Sequence, residues 1–523
     1  MDRKFGLPAS SATLRVFLPP NYIACTLRLV DRFSYQYFKT FRDVKLSHPS
    51  PAHAFKHKWR GPDGCRTLTL KQRQSFLRVV VTSGSVENLE LALWCTGLPV
   101  KADLLEAAAG AGQLSSCAWL LQRGCPWGGA LAAAARNGHR HMCEWLVAHG
   151  CPIDQEALCS AARGGHEDLG LRQHLTTTVV DDKQMLTAAA ASFGLRAFAM
   201  VYDSFLARRF AEAQDEFVIF PTFPSALAAA AGSTTPDWQD KVELLEGLGY
   251  PRHPDACAEA AAQPDAVDRL EWLLRRGYPL TDRAVEKSAS AGNLAALRFL
   301  LEQQQHVWSP SAAVVGLAAF NGQLEILQYF HSRDPRSVKL PTVLLDATHQ
   351  DHLPVVEWAL VTLPPAGAGA PVLVSEQLSR WATVGGSLEM LEWLRERGWS
   401  LTSERINAVA DGGSEMVLEW LVESGCPMPT DGHPYLLAAR NGDLAMASCL
   451  HRLGCPWGRS LVARCIGAKC PVQALRQLAE LGCPVALGEA ERALAHVPEE
   501  PYRSELLAWL GEERLLQTKA GVL

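Results

Sequence analysis

Cysteine and histidine carry most of the chemistry open to this chain, so their spacing is read first. Cys465 and Cys470 are five apart, and Cys143, Cys151 and Cys159 are eight apart. Neither set has the two-residue spacing of a zinc knuckle. His139 with Cys143, and His349 with His352, can share a helix face, but each pair supplies two ligands where structural zinc needs four. No metal site is expected. Gly110-Ala111-Gly112 matches only the start of a dinucleotide loop, and it falls between two helices of a repeat. The chain has no Gly-rich loop ending in Gly-Lys-Ser/Thr, no His-Glu-x-x-His and no Gly-x-Ser-x-Gly elbow. No catalytic residue and no cofactor are expected, and the chain reads as a non-enzyme.

The elements that hold these residues recur. Gly-Xaa-Pro follows an apolar run at Gly97-Leu98-Pro99, Gly124-Cys125-Pro126, Gly150-Cys151-Pro152, Gly249-Tyr250-Pro251 and Gly277-Tyr278-Pro279. It returns at Gly425-Cys426-Pro427, Gly454-Cys455-Pro456 and Gly482-Cys483-Pro484. Neighbouring copies are 26 to 29 residues apart. A 523-residue chain would ordinarily hold three or four domains of about 150 residues each, but a short period points to stacked supersecondary units. Residues 128–152 show one unit. An Ala-rich helix runs to Arg136 and stops at Asn137-Gly138, and Met142, Cys143, Trp145, Leu146 and Val147 then give a second helix one apolar face. Gly150 ends that helix and Pro152 cannot continue it.

The same pattern appears in 104–126, 284–304, 313–330, 379–398 and 435–456. These segments resemble the ankyrin repeat in the AARNGH-type junction, the LEIL or LEML stretch after it and the closing glycine. The resemblance covers roughly 75 to 512, with 14 or 15 units, and weakens at 167–225 and 336–371. The ankyrin period is about 33 residues, and the Thr-Pro-Leu-His entry is absent here: its His position holds Ala132 in one unit and Leu436 in another. An all-α fold follows, an α-solenoid of helix-turn-helix repeats with truncated hairpin loops behind a small N-terminal helical module. Longer α-solenoid repeats, of about 34 residues or more, fit the period less well. The divisions read are a module at 1–46, a linker at 47–72, the array at 73–512 and a tail at 513–523. Trp119, Trp145, Trp272, Trp358, Trp393 and Trp420 share one position in the second helix and are expected to fill the core between units. Cys125, Cys151, Cys426, Cys455 and Cys483 share the turn before proline.

Residues 1–46 leave the repeat. Leu18, Pro19, Leu27, Arg28, Leu29, Val30, Arg32 and Phe33 are similar to the second half of an F-box, while the Leu7-Pro8 opening lies one residue too close to Leu18. That resemblance implies docking to the adaptor subunit of a cullin-type ubiquitin ligase through Leu18, Pro19, Leu27, Val30 and Phe33. The other reading is a plain scaffold whose N-terminus only caps the array. In ankyrin proteins the partner touches residues just after the double Ala, which here implies Arg136, Asn137, Arg163, Phe320, Asn321, Arg440 and Asn441 on a concave face. The expected ligand is a protein. Fifty basic residues against 55 acidic, a net of −5, argue against nucleic acid. No run of about 18 apolar residues is present and the first residues lack an apolar signal core. No membrane contact is expected, and the place expected is the cytoplasm or nucleus, with reduced thiols.

Overall fold

The computed structural model describes residues 20–26, 29, 40, 43–61, 64–166, 182–212, 224–303, 310–349, 352–363, 379, 382–386, 388–396, 401–497 and 502–520. These residues form 30 helices and no strand. The fold is an all-helical array of helix-turn-helix repeats, as the period and the shortened loops require. The five residues expected to dock a ligase adaptor, Leu18, Pro19, Leu27, Val30 and Phe33, lie outside the described residues.

The Gly-Xaa-Pro tripeptide has a physical cause. In the helix Leu114–Gln122, the Gly124 N–H bonds Leu121 O at 2.9 Å and the Cys125 N–H bonds Leu120 O at 3.1 Å. This is the Schellman closure, which satisfies the orphan carbonyls of a helix end and needs a left-handed residue, here Gly124 at φ 74°. The residue after the glycine turns its side chain back onto the helix, and the proline prevents continuation. The same bond runs from Cys151 to Leu146, Tyr278 to Leu273, Cys426 to Leu421 and Cys483 to Leu478. All five turn cysteines are buried. Cys125 Sγ donates to Lys101 O and Cys426 Sγ to Thr402 O, so each thiol also ties its turn to the loop entering its own repeat.

Several helix starts are set by side chains. Thr69 and Gln72 form a reciprocal capping box before the helix Leu70–Val81. Asp154, Ser311 and Ser414 each accept an N–H from the first turn of the helix that follows. First helices pack closely on first helices of adjacent repeats, since Ala130, Ala134, Ala230 and Ala260 leave no side chain to hold them apart. Second helices meet one another less.

The chain divides into two compact units. One holds Ala109–Gly112 and Trp127–Leu378 and stacks its repeats in chain order. The other combines the residues up to Ala108, Gln113–Pro126 and those from Ser379 onward. Within this second group the early repeats dock on the late ones. Met416 N–H donates to Arg66 O at 3.3 Å, and Leu444 N–H to Gly97 O at 3.2 Å. The Arg66 guanidinium bonds Glu419 and lies 3.6 Å from Glu415. At the centre, Arg73 Nη1 donates to Asp443 Oδ1 at 2.8 Å and to Thr96 O at 3.0 Å, and Arg73 Nη2 donates to Asp443 Oδ2. Both side chains are buried, at 1% and 2% exposure.

The structure also alters some details. The segment read as a linker contains the helix Ala52–Trp59, whose Phe55 is buried and stacks on Phe76 at 6.0 Å. The last helix, Tyr502–Ala520, runs past residue 512. The tryptophan row is not a buried stack. Trp119 is buried, but Trp145, Trp272, Trp358 and Trp420 are half-buried on the second helices. Guanidinium groups cover several of them, Arg123 at 3.6 Å from the Trp119 ring and Arg276 at 4.5 Å from that of Trp272. The fully buried position is the next one along, at Leu120, Leu146, Leu273 and Leu421.

Candidate functional site

The proposed contact residues fall at the junctions between first and second helices. In the unit containing residues 127–378, Arg136, Asn137, Arg163, Phe320 and Asn321 are all exposed. Arg440 and Asn441 belong to the other unit, where Arg440 is exposed and Asn441 half-buried. The seven residues are therefore two separate groups.

Their side chains differ in freedom. Asn137 Nδ2 donates to Ala133 O at 3.0 Å and Asn321 Nδ2 to Leu317 O at 2.8 Å, each adding a second bond to a carbonyl of its own helix that already accepts the same residue's backbone N–H. Asn441 Nδ2 reaches Asp411 O at 2.6 Å, and Arg440 pairs with Asp411 at 3.0 Å. Arg163 pairs with Glu156 of its own helix. Phe320 is 41% exposed. Arg136 is exposed, and its guanidinium makes no ion pair or hydrogen bond among the described residues.

The residue after the junction glycine does something the sequence reading missed. His166 Nε2–H donates to Arg136 O at 3.1 Å, Asn293 Nδ2 to Gln263 O at 2.7 Å, and Gln323 Nε2 to Ser290 O at 3.2 Å. His352, at the same place in a junction that reads Gln350-Asp351-His352 without the glycine, donates its Nε2–H to Phe320 O at 2.9 Å. Each repeat thus closes the helix end of the repeat before it, which strings the junctions into one hydrogen-bonded ladder. The signal was a position that varies among His, Asn and Gln, all side chains able to donate. Cations do the same at two rungs further along the second helix. Lys241 Nζ donates to Ala190 O and Phe193 O, both at 2.8 Å, and Arg269 Nη1 donates to Ala231 O at 2.8 Å. A cation at a helix C-terminus also meets the negative end of the dipole. Burial pushes the Lys241 ammonium down to about 8, with Arg269 adding to the effect and Asp237 opposing it.

Charges beside the ladder are mostly matched between repeats. Arg283 bonds Asp255 at 2.5 Å and Lys287 bonds Glu259 at 2.7 Å. Among the described residues no group of three or more His, Cys, Asp or Glu is placed to hold a metal ion. Of the two pairs weighed from sequence, His139 is bonded to Gly110 O and His352 to Phe320 O. Burial pushes the Cys117 thiol up to about 12 and those of Cys143 and Cys257 to about 11, leaving these thiols protonated at neutral pH. Among the described residues no helix is long and apolar enough to cross a membrane.

No family model matches this chain, and no curated protein does. The ankyrin and F-box resemblances thus stand on the quoted residues alone. Among solved structures, the chain is similar to the pentatricopeptide repeat protein PPR10 in complex with an 18-nt psaJ RNA element, at 14% identity, over 98% of this chain and 92% of that one, with a TM-score of 0.28. It is similar also to PPR10 from maize, at 12% identity, over 96% of this chain and 94% of that one, with a TM-score of 0.21. These are helical-repeat proteins, one of them bound to RNA. That finding runs against two expectations, a protein ligand held for a ubiquitin ligase and the exclusion of nucleic acid, and both are withdrawn. The physical fault lay in the charge argument. A net of −5 averages over the whole surface, whereas single-stranded RNA is read by stacking and hydrogen bonds at a few local groups.

Proposed function

We propose that this chain is a non-enzymatic recognition module built of shortened ankyrin-like repeats, and that the junction row of residues 127–378 is its ligand-facing edge. The observation that carries the reading is Arg136, an exposed guanidinium with no ion pair or hydrogen bond among the described residues, in a ladder where neighbouring polar groups are engaged. The 26–29-residue period and the Asn-Gly-His and Asn-Gly-Gln junctions support the ankyrin-like assignment. A guanidinium at Arg136 and a half-exposed phenyl ring at Phe320 are groups that bind phosphate and stack on bases. Single-stranded RNA is therefore the ligand this reading commits to. The cytoplasm or nucleus is the compartment that fits, since reducing conditions keep thiols such as Cys125 free.

Fluorescence anisotropy of a labelled mixed-sequence single-stranded RNA against the full chain tests this. Arg136→Ala is expected to weaken binding about tenfold, or ~1.4 kcal/mol, and to flatten the salt dependence by roughly one phosphate contact. Absence of RNA binding by the wild-type chain, or equal affinity of the variant, removes the reading.

A further inference from the structure

A cavity of about 270 Å³ opens between two successive repeat loops, one running from Trp457 to Ser460 and the other from Cys483 to Ala486. Val462 and Ala463 of the helix Leu461–Gly467, and Glu489 of the helix Leu487–Ala495, complete its wall. All of these residues belong to the unit that contains Ser379–Leu523, and none is part of the junction row of residues 127–378.

The backbone shows why the gap exists. The Trp457–Gly458 segment leans on the loop before it, so closely that an added Cβ on Gly432 would strike Trp457 O and one on Gly458 would strike Asp431 O. Gly458 at φ 70° and Ser460 at φ 54° make the bend. Pressed against the earlier repeat, the loop leaves a space on the side of the later one. Ser460 is the informative residue. A residue with a side chain is uncommon in the left-handed region, and backbone strain of this kind collects at binding sites. The Trp457 ring stacks on Tyr435 at 4.2 Å and on His451 at 5.3 Å, which fixes that side of the cavity.

The lining divides by chemistry. Val462, Ala463, Pro484 and Ala486 are apolar, Arg459 is an exposed guanidinium and Glu489 a half-buried carboxylate. Among the described residues neither charged side chain makes an ion pair or hydrogen bond, with the other or with any further group. Nearby charges are engaged, Arg464 with Asp431 O at 2.6 Å and Arg440 with Asp411 at 3.0 Å. A ligand with a single charge would match one of the two free groups and leave the other unmatched. A zwitterion matches both.

We propose that this cavity binds a free α-amino acid with an apolar side chain. The ligand carboxylate accepts from the Arg459 guanidinium, its ammonium donates to the Glu489 carboxylate, and its side chain lies on the apolar wall. The volume falls at the lower end of small-molecule sites, which suits a ligand of amino-acid size better than a nucleotide. A second loop supports the role of the arginine. Cys-Pro-Trp-Gly occurs at 125–128 and again at 455–458, and the next residue is Gly129 in the first copy and Arg459 in the second. The turn itself therefore does not require a cation at that place.

Isothermal titration calorimetry of the full chain with L-leucine tests this, beside two probes that each lack one charge. Leucinamide keeps the ammonium and N-acetyl-leucine keeps the carboxylate. L-leucine is expected to bind saturably, one molecule per chain, and each derivative about tenfold more weakly. Arg459→Ala is expected to weaken L-leucine about tenfold and to leave leucinamide unchanged, because leucinamide has no carboxylate to lose its partner. Glu489→Gln is expected to weaken L-leucine to a similar extent and to leave N-acetyl-leucine unchanged. Absence of saturable L-leucine binding, equal binding of the three probes, or unchanged L-leucine affinity in either variant overturns the proposal. The three-probe comparison uses the wild-type chain, so it decides the matter even if a substitution impairs folding.

Discussion

Lys241 shows how one residue can contribute to stability and to its pH dependence together. It is wholly buried, and its ammonium donates to Ala190 O, Phe193 O and Ser233 Oγ. Its pKa falls to about 8 chiefly through burial, with Asp237 and Arg269 the charges that face it. Below pH 8 both folded and unfolded chains carry the proton, so the folded state bears the full cost of the buried charge. Between pH 8 and 10.5 the unfolded chain holds a proton that the folded one has released, and stability rises with pH by up to about 1.4 kcal/mol per unit. Lys241→Met removes this contribution. Urea unfolding of wild type and variant at pH 7, 8, 9 and 10 should show the wild type gaining on the variant only above pH 8. A constant difference across that range would refute the assignment. Reading the sequence alone gave no access to this lysine. It stands in a second helix among ordinary surface charges, and only packing shows that its Nζ meets the end of an earlier helix.

At the scale of the helical element, the glycines separate two kinds of constraint. Gly425 has φ 83° and open space where a Cβ would stand, so Gly425→Ala pays only for a left-handed backbone, about 1 kcal/mol. Asn at that position should recover part of the loss, because its side chain tolerates the left-handed region. Gly432 has φ 69°, and an added Cβ would lie 1.8 Å from Trp457 O. Gly432→Ala must also displace the backbone, so its thermal midpoint should fall well below that of Gly425→Ala. Equal midpoints would show that the two loops do not approach each other so closely. The Gly-Xaa-Pro period was legible because each copy is a helix stop with its own local chemistry, glycine for the left-handed turn and proline against continuation. The junctions were half legible. Asn-Gly marked where first helices end, but Asn137 and Asn321 serve their own helices as caps, and the donors crossing between repeats are His166, Asn293, Gln323 and His352. The tryptophan row was misplaced for a related reason. Helical spacing finds the apolar face, but it does not distinguish the core position from its neighbour, and Leu146 rather than Trp145 is the residue fully enclosed.

At the scale of the whole molecule, a repeat array should touch only its sequence neighbours, yet Arg73 and Asp443 are 370 residues apart and share two hydrogen bonds. The sequence holds a faint trace of this. Where two other junctions read Asn137-Gly138-His139 and Asn321-Gly322-Gln323, this one reads Asn441-Gly442-Asp443, an acceptor in a donor's place. Such an acceptor cannot bond a preceding carbonyl; its Oδ1 caps the next helix by accepting the Met446 N–H at 3.0 Å, and nothing local indicates that its other donor lies near the start of the chain. Burial lowers the Arg73 guanidinium, but Asp443 outweighs it and the group is held above its ordinary range. Removing one partner leaves the other charged and enclosed, so Arg73→Met and Asp443→Leu should each cost about 3–5 kcal/mol. The double substitution should recover much of that loss, because an apolar pair leaves no charge to desolvate. Arg440 and Asp411 supply the control. Their side chains are 52% and 47% exposed, and breaking that pair should cost under about 1 kcal/mol. Hydrogen exchange locates the effect. With Arg73→Met, amides of 66–73 and of 443–446 should lose protection together, although they lie at opposite ends of the sequence. Loss confined to one of the two segments, or a cost no larger than that of the exposed pair, would mean that the early repeats do not dock on the late ones in solution.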